Sequence, residues 1–318
     1  MTTPYYQDDL VTLLHGDALE QARTLGAGSV QTIVTSPPYF GLRDYGEVGQ
    51  MGAETSLAEY VEGMVALFRE LRRVLADDGT LWLNLGDSYT SSPGRRKATD
   101  KAGAKQESKR GSTGSPSVSI PGVAPKNLIG VPWRVAFALQ ADGWILRSDI
   151  IWAKPNPMPE SVTDRPTKSH EYLFLLAKSP KYFYDADAIR EESVGEWNSA
   201  HGFILEGQSK RNIEGRIGAR IDQAQSGRNA RTVWTIPTVP FSAAHFAVYP
   251  PELIRPCIRA GSRPGDTVLD PFSGSGTTGM VATEEGRKYV GIDLNREYLN
   301  LSLKTRFAQP VLNLGVIA

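Results

Sequence analysis

Short apolar runs closed by turn residues alternate along this chain with longer stretches in which apolar side chains return every three or four positions. Residues 10–14 predict a buried strand that ends at His15-Gly16-Asp17, and Gln31-Thr32-Ile33-Val34 predicts a second. Ser56-Leu57-Ala58-Glu59 is a capping-box pattern, and Val61, Met64, Val65, Phe68, Leu71 and Val74-Leu75 continue the helix it opens as far as Asp77-Asp78-Gly79. A third strand over 80–85 completes a strand-helix-strand unit. Farther on, the pattern predicts a helix over 131–140, strands over 144–152 and 170–177, and a short hairpin return over 181–184. The last part repeats the alternation with a helix over 251–260, its proline at a tolerated first-turn position, then a strand over 267–272. A helix over 280–285, a strand over 289–293 and a final helix from Asn295 follow. Such alternation at both ends predicts an α/β fold, a doubly wound and mostly parallel open sheet.

Two stretches interrupt the pattern. Residues 88–126 are rich in Ser, Gly, Lys and Pro with almost no apolar side chains, the composition of a mobile insertion. Residues 185–231 are polar and weakly periodic and read as a target-recognition insert, so one catalytic domain is expected from 1–184 together with 232–318.

Charge sharpens this division. The formal net charge is zero, yet residues 91–126 hold eight basic against two acidic side chains and residues 207–231 hold six against two. Basic inserts on an acidic body suit a polyanionic partner, although solvated loops without a partner have the same composition. The lone cysteine, Cys257, allows no internal disulfide, and four scattered histidines show no ligand spacing, so no metal is expected. No apolar run is long enough to span a bilayer, which makes a cytoplasmic protein the expectation.

The candidate chemistry lies in two motifs. Thr35-Ser36-Pro37-Pro38-Tyr39 follows the second apolar run directly. Consecutive prolines donate no N–H and fix φ, so the strand ends in a stiff turn whose carbonyls point outward. Ser36 adds a hydroxyl acceptor and Tyr39 a flat ring, so the turn suits an exocyclic aromatic amine. Taken alone, a proline turn after a strand is more often mere punctuation. The second motif, Gly274-x-Gly276-x-x-Gly279, sits between a strand and a helix, with Asp293 closing the next strand. Glycines admit close backbone approach and an acid can hold ribose hydroxyls, which points to an adenosine-type cofactor without separating a nicotinamide dinucleotide from S-adenosylmethionine. Asp270 before the glycines favours a ligand that carries an ammonium group.

Asp270-Pro271-Phe272-Ser273-Gly274-Ser275-Gly276-Thr277-Thr278 resembles the cofactor loop of the DNA amino-methyltransferases, and Ser36-Pro37-Pro38-Tyr39 resembles their catalytic tetrapeptide. The tetrapeptide precedes the loop, which is similar to the motif order called the beta class. The resemblance implies a Rossmann-like seven-stranded sheet with one antiparallel strand and S-adenosyl-L-methionine as cofactor. It implies double-stranded DNA as partner, the target base flipped and stacked on Tyr39. A homodimer and a cognate restriction endonuclease are further partners it allows. By position, Asp17 meets the adenine ring, Thr35 stands beside the cofactor, and His245, Phe246 and Pro250 line the methionine end. Asp270, Phe272, Ser273, Gly274, Ser275, Gly276 and Thr277 form the glycine loop, and Asp293 holds the ribose. Lys154, Asn156 and Arg165 are candidate contacts to DNA. The family associates serine in the first tetrapeptide position with N4 of cytosine and aspartate with N6 of adenine, so cytosine N4 is the expected target and adenine N6 the alternative.

Rival readings explain less. A nicotinamide-dependent oxidoreductase would use the same glycines and leave residues 36–39 without a role, and a non-catalytic DNA-binding module would bind DNA yet transfer no methyl group. Cytosine C5 methylation needs a thiolate, and Cys257 falls inside a helical pattern rather than on a loop.

Overall fold

The computed structural model describes residues 3–41, 49–90, 120–192, 227–239 and 248–307. Among these, nine strands form one sheet: β1 (Tyr6–Gln7), β2 (Val11–His15), β3 (Val30–Thr35), β4 (Leu75–Leu85), β5 (Ile145–Ala153), β6 (His170–Ala177), β7 (Val233–Thr235), β8 (Thr267–Asp270) and β9 (Lys288–Asp293). Their spatial order is β1-β2-β9-β8-β3-β4-β6-β5-β7. The seven strands from β2 to β5 are the expected doubly wound sheet, parallel except for β6, which runs antiparallel to both β4 and β5. β1 and β7 extend the edges by two and three residues, too short to leave a periodicity in the sequence.

Alternation along the strands sends side chains to two cores. Leu14, Ile33 and Leu81 pack with helices α1 (Ala18–Thr24), α2 (Leu57–Val74) and α3 (Val131–Ala141) on one face. Their neighbours Leu13, Val34 and Trp82 pack with α4 (Pro251–Gly261), α5 (Thr277–Glu284) and α6 (Arg296–Ser302) on the other. Both faces are therefore covered, as a parallel sheet requires.

Local signals fix where the helices begin. Ser56 caps α2 by accepting from the Glu59 amide at 3.2 Å, while the Glu59 carboxylate reaches back to the Thr55 amide and hydroxyl at 3.2 and 2.7 Å. α2 then passes straight into β4 at Leu75, so the expected stop at residues 77–79 belongs to the strand. The hairpin expected over 181–184 does not form. Both edges of β6 are taken, by β4 and by β5, and no edge is left for a returning strand. Phe183 instead donates its amide to the Asp78 carbonyl at 2.7 Å.

In the middle of the sheet β3 pairs with β8, placing Ile33 opposite Leu269, with β4 and β9 beyond them. The carboxyl ends of these two strands lead into the proline turn and the glycine loop. Ligands bind in the crevice at such a point of an open α/β sheet.

Candidate active site

Thr35, the last residue of β3, donates its hydroxyl to Asp270 at 2.7 Å. Asp270 closes β8 and also accepts from Thr278 Oγ1 at 2.7 Å, from the Phe272 amide at 3.0 Å and from the Tyr249 hydroxyl at 3.0 Å. Burial pushes its carboxyl above the usual carboxylate range, against the pull of these four donors. Burial likewise raises the Tyr249 phenol far above its ordinary value, with the Asp270 charge adding to it, so Tyr249 remains a donor. Asp270 thus ties the proline turn, the glycine loop and the start of α4 together from behind.

In front of this tie lies an open cleft of about 950 Å³. One wall is the proline turn, all four of Ser36, Pro37, Pro38 and Tyr39. The opposite wall is the glycine loop, with Phe272, Ser273, Gly274, Ser275 and Thr277, and Asp17 and Asp293 flank it. Asp293 accepts the Gly274 and Asn295 amides at 2.7 and 2.8 Å. Asp17 caps α1 by accepting from the Glu20 amide at 3.0 Å. Gly274 has φ +51°, and a Cβ added there would meet nothing nearer than a carbonyl at 3.9 Å, so the loop leaves room where a side chain would intrude.

The tetrapeptide is held by side chains from three other elements. Tyr60 on α2 donates its hydroxyl to the Pro38 carbonyl at 3.0 Å. No donor among the described residues reaches the Pro37 carbonyl. Ser36 Oγ lies 3.2 Å from the Tyr39 hydroxyl, which in turn lies 2.8 Å from Glu171 Oε2 on β6 and 3.1 Å from Asn84 Oδ1 on β4. The Tyr39 ring packs on Gly86, where an added Cβ would come within 2.5 Å of its edge. Glu171 is paired with Lys154, whose ammonium lies 4.1 Å from the centre of the Trp152 ring.

Farther along the same wall, Lys168 Nζ is shut off from solvent and has no hydrogen-bond partner, and burial pulls its pKa down. His170 beside it is shifted down by burial and by the Lys168 charge. Asp87 accepts three amides at the start of α3, from Gly130 and Val131 and from its neighbour Ser88, at 2.9–3.1 Å.

Of the residues singled out from the sequence, Thr35, Asp270, Pro250 and Gly276 stand off the cleft wall. Thr35 and Asp270 form the tie behind it, Pro250 is the buried residue preceding α4, and Gly276 caps α5 with φ +78° against Ser302 and Phe307. Lys154 lines the cleft, but Asn156 is bonded both ways to the backbone of Thr238, at 2.9 and 3.1 Å. Arg165 is bonded to Glu160 and the Pro166 carbonyl and stacks on Tyr89. His245 and Phe246 lie outside the described residues, as do 91–119 and 193–226 of the two inserts. Cys257 is buried in α4, its thiol pushed far up by burial, so it supplies no thiolate. Among the described residues no cluster of three or more His, Cys, Asp or Glu side chains could hold a metal ion, and no helix is long and apolar enough to cross a membrane.

Residues 30–304 match the sequence model of the N6/N4 DNA methylase family. The chain belongs to that family. Type II methyltransferase M.Cfr9I of Citrobacter freundii is 52% identical over 293 residues, which cover 92% of this chain and 86% of that one. Type II methyltransferase M.SmaI of Serratia marcescens is 50% identical over 291 residues, 91% and 88% of the two chains. Among solved structures, the PvuII DNA methyltransferase, described as cytosine-N4-specific, superposes with a TM-score of 0.63 at 20% identity, over 94% of this chain and 87% of that one. M1.HpyAVI, solved as a complex with S-adenosylmethionine, superposes with 0.53 at 17% identity over 94% and 100%. This N6/N4 DNA methyltransferase has the Rossmann-like fold of those proteins, and S-adenosylmethionine is the methyl donor of the family. The open loop at Gly274, with acids at both adjoining strand ends, fits that donor.

Proposed function

We propose that this DNA methyltransferase methylates N4 of a cytosine flipped out of duplex DNA. The observation that carries the reading is the proline turn on the cleft wall, where Ser36 brings a hydroxyl, the Pro37 carbonyl is reached by no donor among the described residues, and the next carbonyl is already bonded to Tyr60. An exocyclic amine is a weak nucleophile because its lone pair is delocalised into the ring. Two acceptors that take its N–H hydrogens hold the nitrogen toward tetrahedral geometry and aim the lone pair across the cleft. When bound along the glycine loop, S-adenosylmethionine supplies the electrophilic methyl group. Phe272, Ser273, Gly274, Asp17 and Asp293 are the residues that would hold it.

The choice of base is supported by the donors on the cleft wall. Beside its amine, cytosine offers two acceptors, N3 and O2, whereas adenine offers N1 and then a carbon. Lys154, a donor only, lines the cleft, and Lys168 Nζ lies buried within the same wall without a partner of its own. The neutral Ser36 in the first tetrapeptide position and the cytosine-N4 specificity in the name of the PvuII enzyme agree with this reading. The basic residues of 88–126 and 185–231 supply the phosphate contacts, with the second segment reading the recognition sequence. A restriction endonuclease of the same sequence specificity is the partner in function.

The test is mass spectrometry of nucleosides from the DNA of cells that express the protein. N4-methylcytosine is the expected product, absent with Ser36→Ala. N6-methyladenine alone would move the target to adenine, and absence of both modified nucleosides would sink the reading.

A further inference from the structure

The side chains behind Ser36 form a hydrogen-bond chain with a direction. Asn84 donates Nδ2 to the Tyr172 carbonyl at 3.1 Å, which turns its Oδ1 toward Tyr39 as an acceptor. Glu171, paired with the Lys154 ammonium, is an acceptor as well. The two groups beyond Tyr39 are therefore both acceptors, and its single proton goes to one of them. Of these, Glu171 is the nearer, at 2.8 Å against 3.1 Å, and the charged one. With its proton directed inward, Tyr39 meets Ser36 with an oxygen lone pair, so the Ser36 hydroxyl donates to Tyr39 across 3.2 Å. The remaining lone pairs of Ser36 then face the cleft. Every O–H in the chain points from the cleft toward Glu171.

We propose that Glu171 is the proton acceptor of the reaction, acting through Tyr39 and Ser36. The inference rests on Ser36 being the acceptor of the target amine. As the nitrogen lone pair forms the new N–C bond, the methyl–sulfur bond breaks and its electron pair returns to sulfur, and the nitrogen must shed one proton. Ser36 Oγ takes that proton while its own passes to Tyr39 and the phenol proton passes to Glu171 Oε2. The base leaves as a neutral methylamine and Glu171 as a neutral acid, which releases the proton to solvent in the open cleft. A carboxylate in the first tetrapeptide position could take the proton itself. Serine cannot keep it and needs this outlet. Lys154 at the end of β5, Lys168 and His170 around the start of β6, and Asp87 after β4 are the charged and titratable groups around Glu171, and Lys154 alone among them is paired with it.

The deciding experiment compares single-turnover methyl transfer with DNA and cofactor affinity in Glu171→Gln, Tyr39→Phe, the double variant and Ser36→Ala. Glu171→Gln should bind DNA and S-adenosylmethionine as the wild type does and transfer methyl about 10²-fold more slowly. Tyr39→Phe should lose as much, the double variant no more than either, and added formate should restore part of the rate to Glu171→Ala. A Glu171→Gln rate near the wild type, with Ser36→Ala inactive, overturns the relay and leaves Ser36 as the amine acceptor. Ser36→Ala at full rate overturns that reading and the relay with it. Independent losses in the double variant, or a Glu171→Ala protein that formate does not help, also overturn the relay and reduce Glu171 to a support for the Tyr39 ring.

Discussion

Asp270 accepts four hydrogen bonds from three segments of the chain and touches the cleft with none of its atoms. An amide there would offer one acceptor oxygen and turn N–H groups toward donors. Asp270→Asn should cost about 2–3 kcal/mol of stability, measured by urea denaturation, with cofactor affinity falling alongside it. Gly86 is a second residue whose role is spatial. In Gly86→Ala the new methyl meets the Tyr39 ring at 2.5 Å, the ring must leave its bonds to Glu171 and Asn84, and methyl transfer should drop at least about tenfold in a protein that still folds. Residues of this kind divide what the sequence reveals from what it hides. Ser36 to Tyr39 and the glycine loop are each contiguous, so an acceptor turn and an adenosine-type loop are readable from the residues, and the family resemblance adds the reaction. Glu171 and Asn84 are isolated polar positions near the ends of two strands whose middles are apolar, and Tyr249 is one aromatic before a proline. Only the strand order β3-β4-β6 brings the first two onto Tyr39, and only the fold brings Tyr249 onto Asp270.

At the scale of elements, the positions where pattern reading succeeded are those settled by local forces. The span of β6 and the start of α2 follow from apolar runs and a capping box. The hairpin after β6 fails because strand pairing is a competition among distant segments, which periodicity does not encode. A related nonlocal device clamps α4 to α5. Glu285, just past the end of α5, accepts from Arg259 at 2.8 and 2.9 Å and from Arg255 at 2.6 Å, and Arg255 also reaches Glu284 at 2.8 Å. Arg259 first and then Arg255 hold the Glu285 carboxyl below the usual carboxylate range, against the effect of burial. Its folded pKa lies below its unfolded one, so the clamp is fully present above the unfolded value and is lost as pH falls through the folded value. Glu285→Gln should therefore cost about 1–2 kcal/mol near neutral pH and progressively less in acid, read from urea midpoints across a pH series.

For the molecule as a whole, the glycine loop alone leaves two cofactors open, and the rest of the site closes one of them. S-adenosylmethionine at a hundred times its dissociation constant should stabilise the protein by roughly 2.7 kcal/mol and raise its melting temperature by several degrees, while NAD at the same concentration should leave it unchanged. A shift with NAD would count against the assignment of the loop. The bond from Thr35 to Asp270 joins positions 235 residues apart. At roughly 5–20 residues per second of synthesis, β3 waits about 10–50 s on the ribosome before β8 exists, and until then one edge of β3 has no partner. Methyl donor and target turn cannot meet in any shorter product of translation. A chain interrupted before β8 therefore transfers no methyl group.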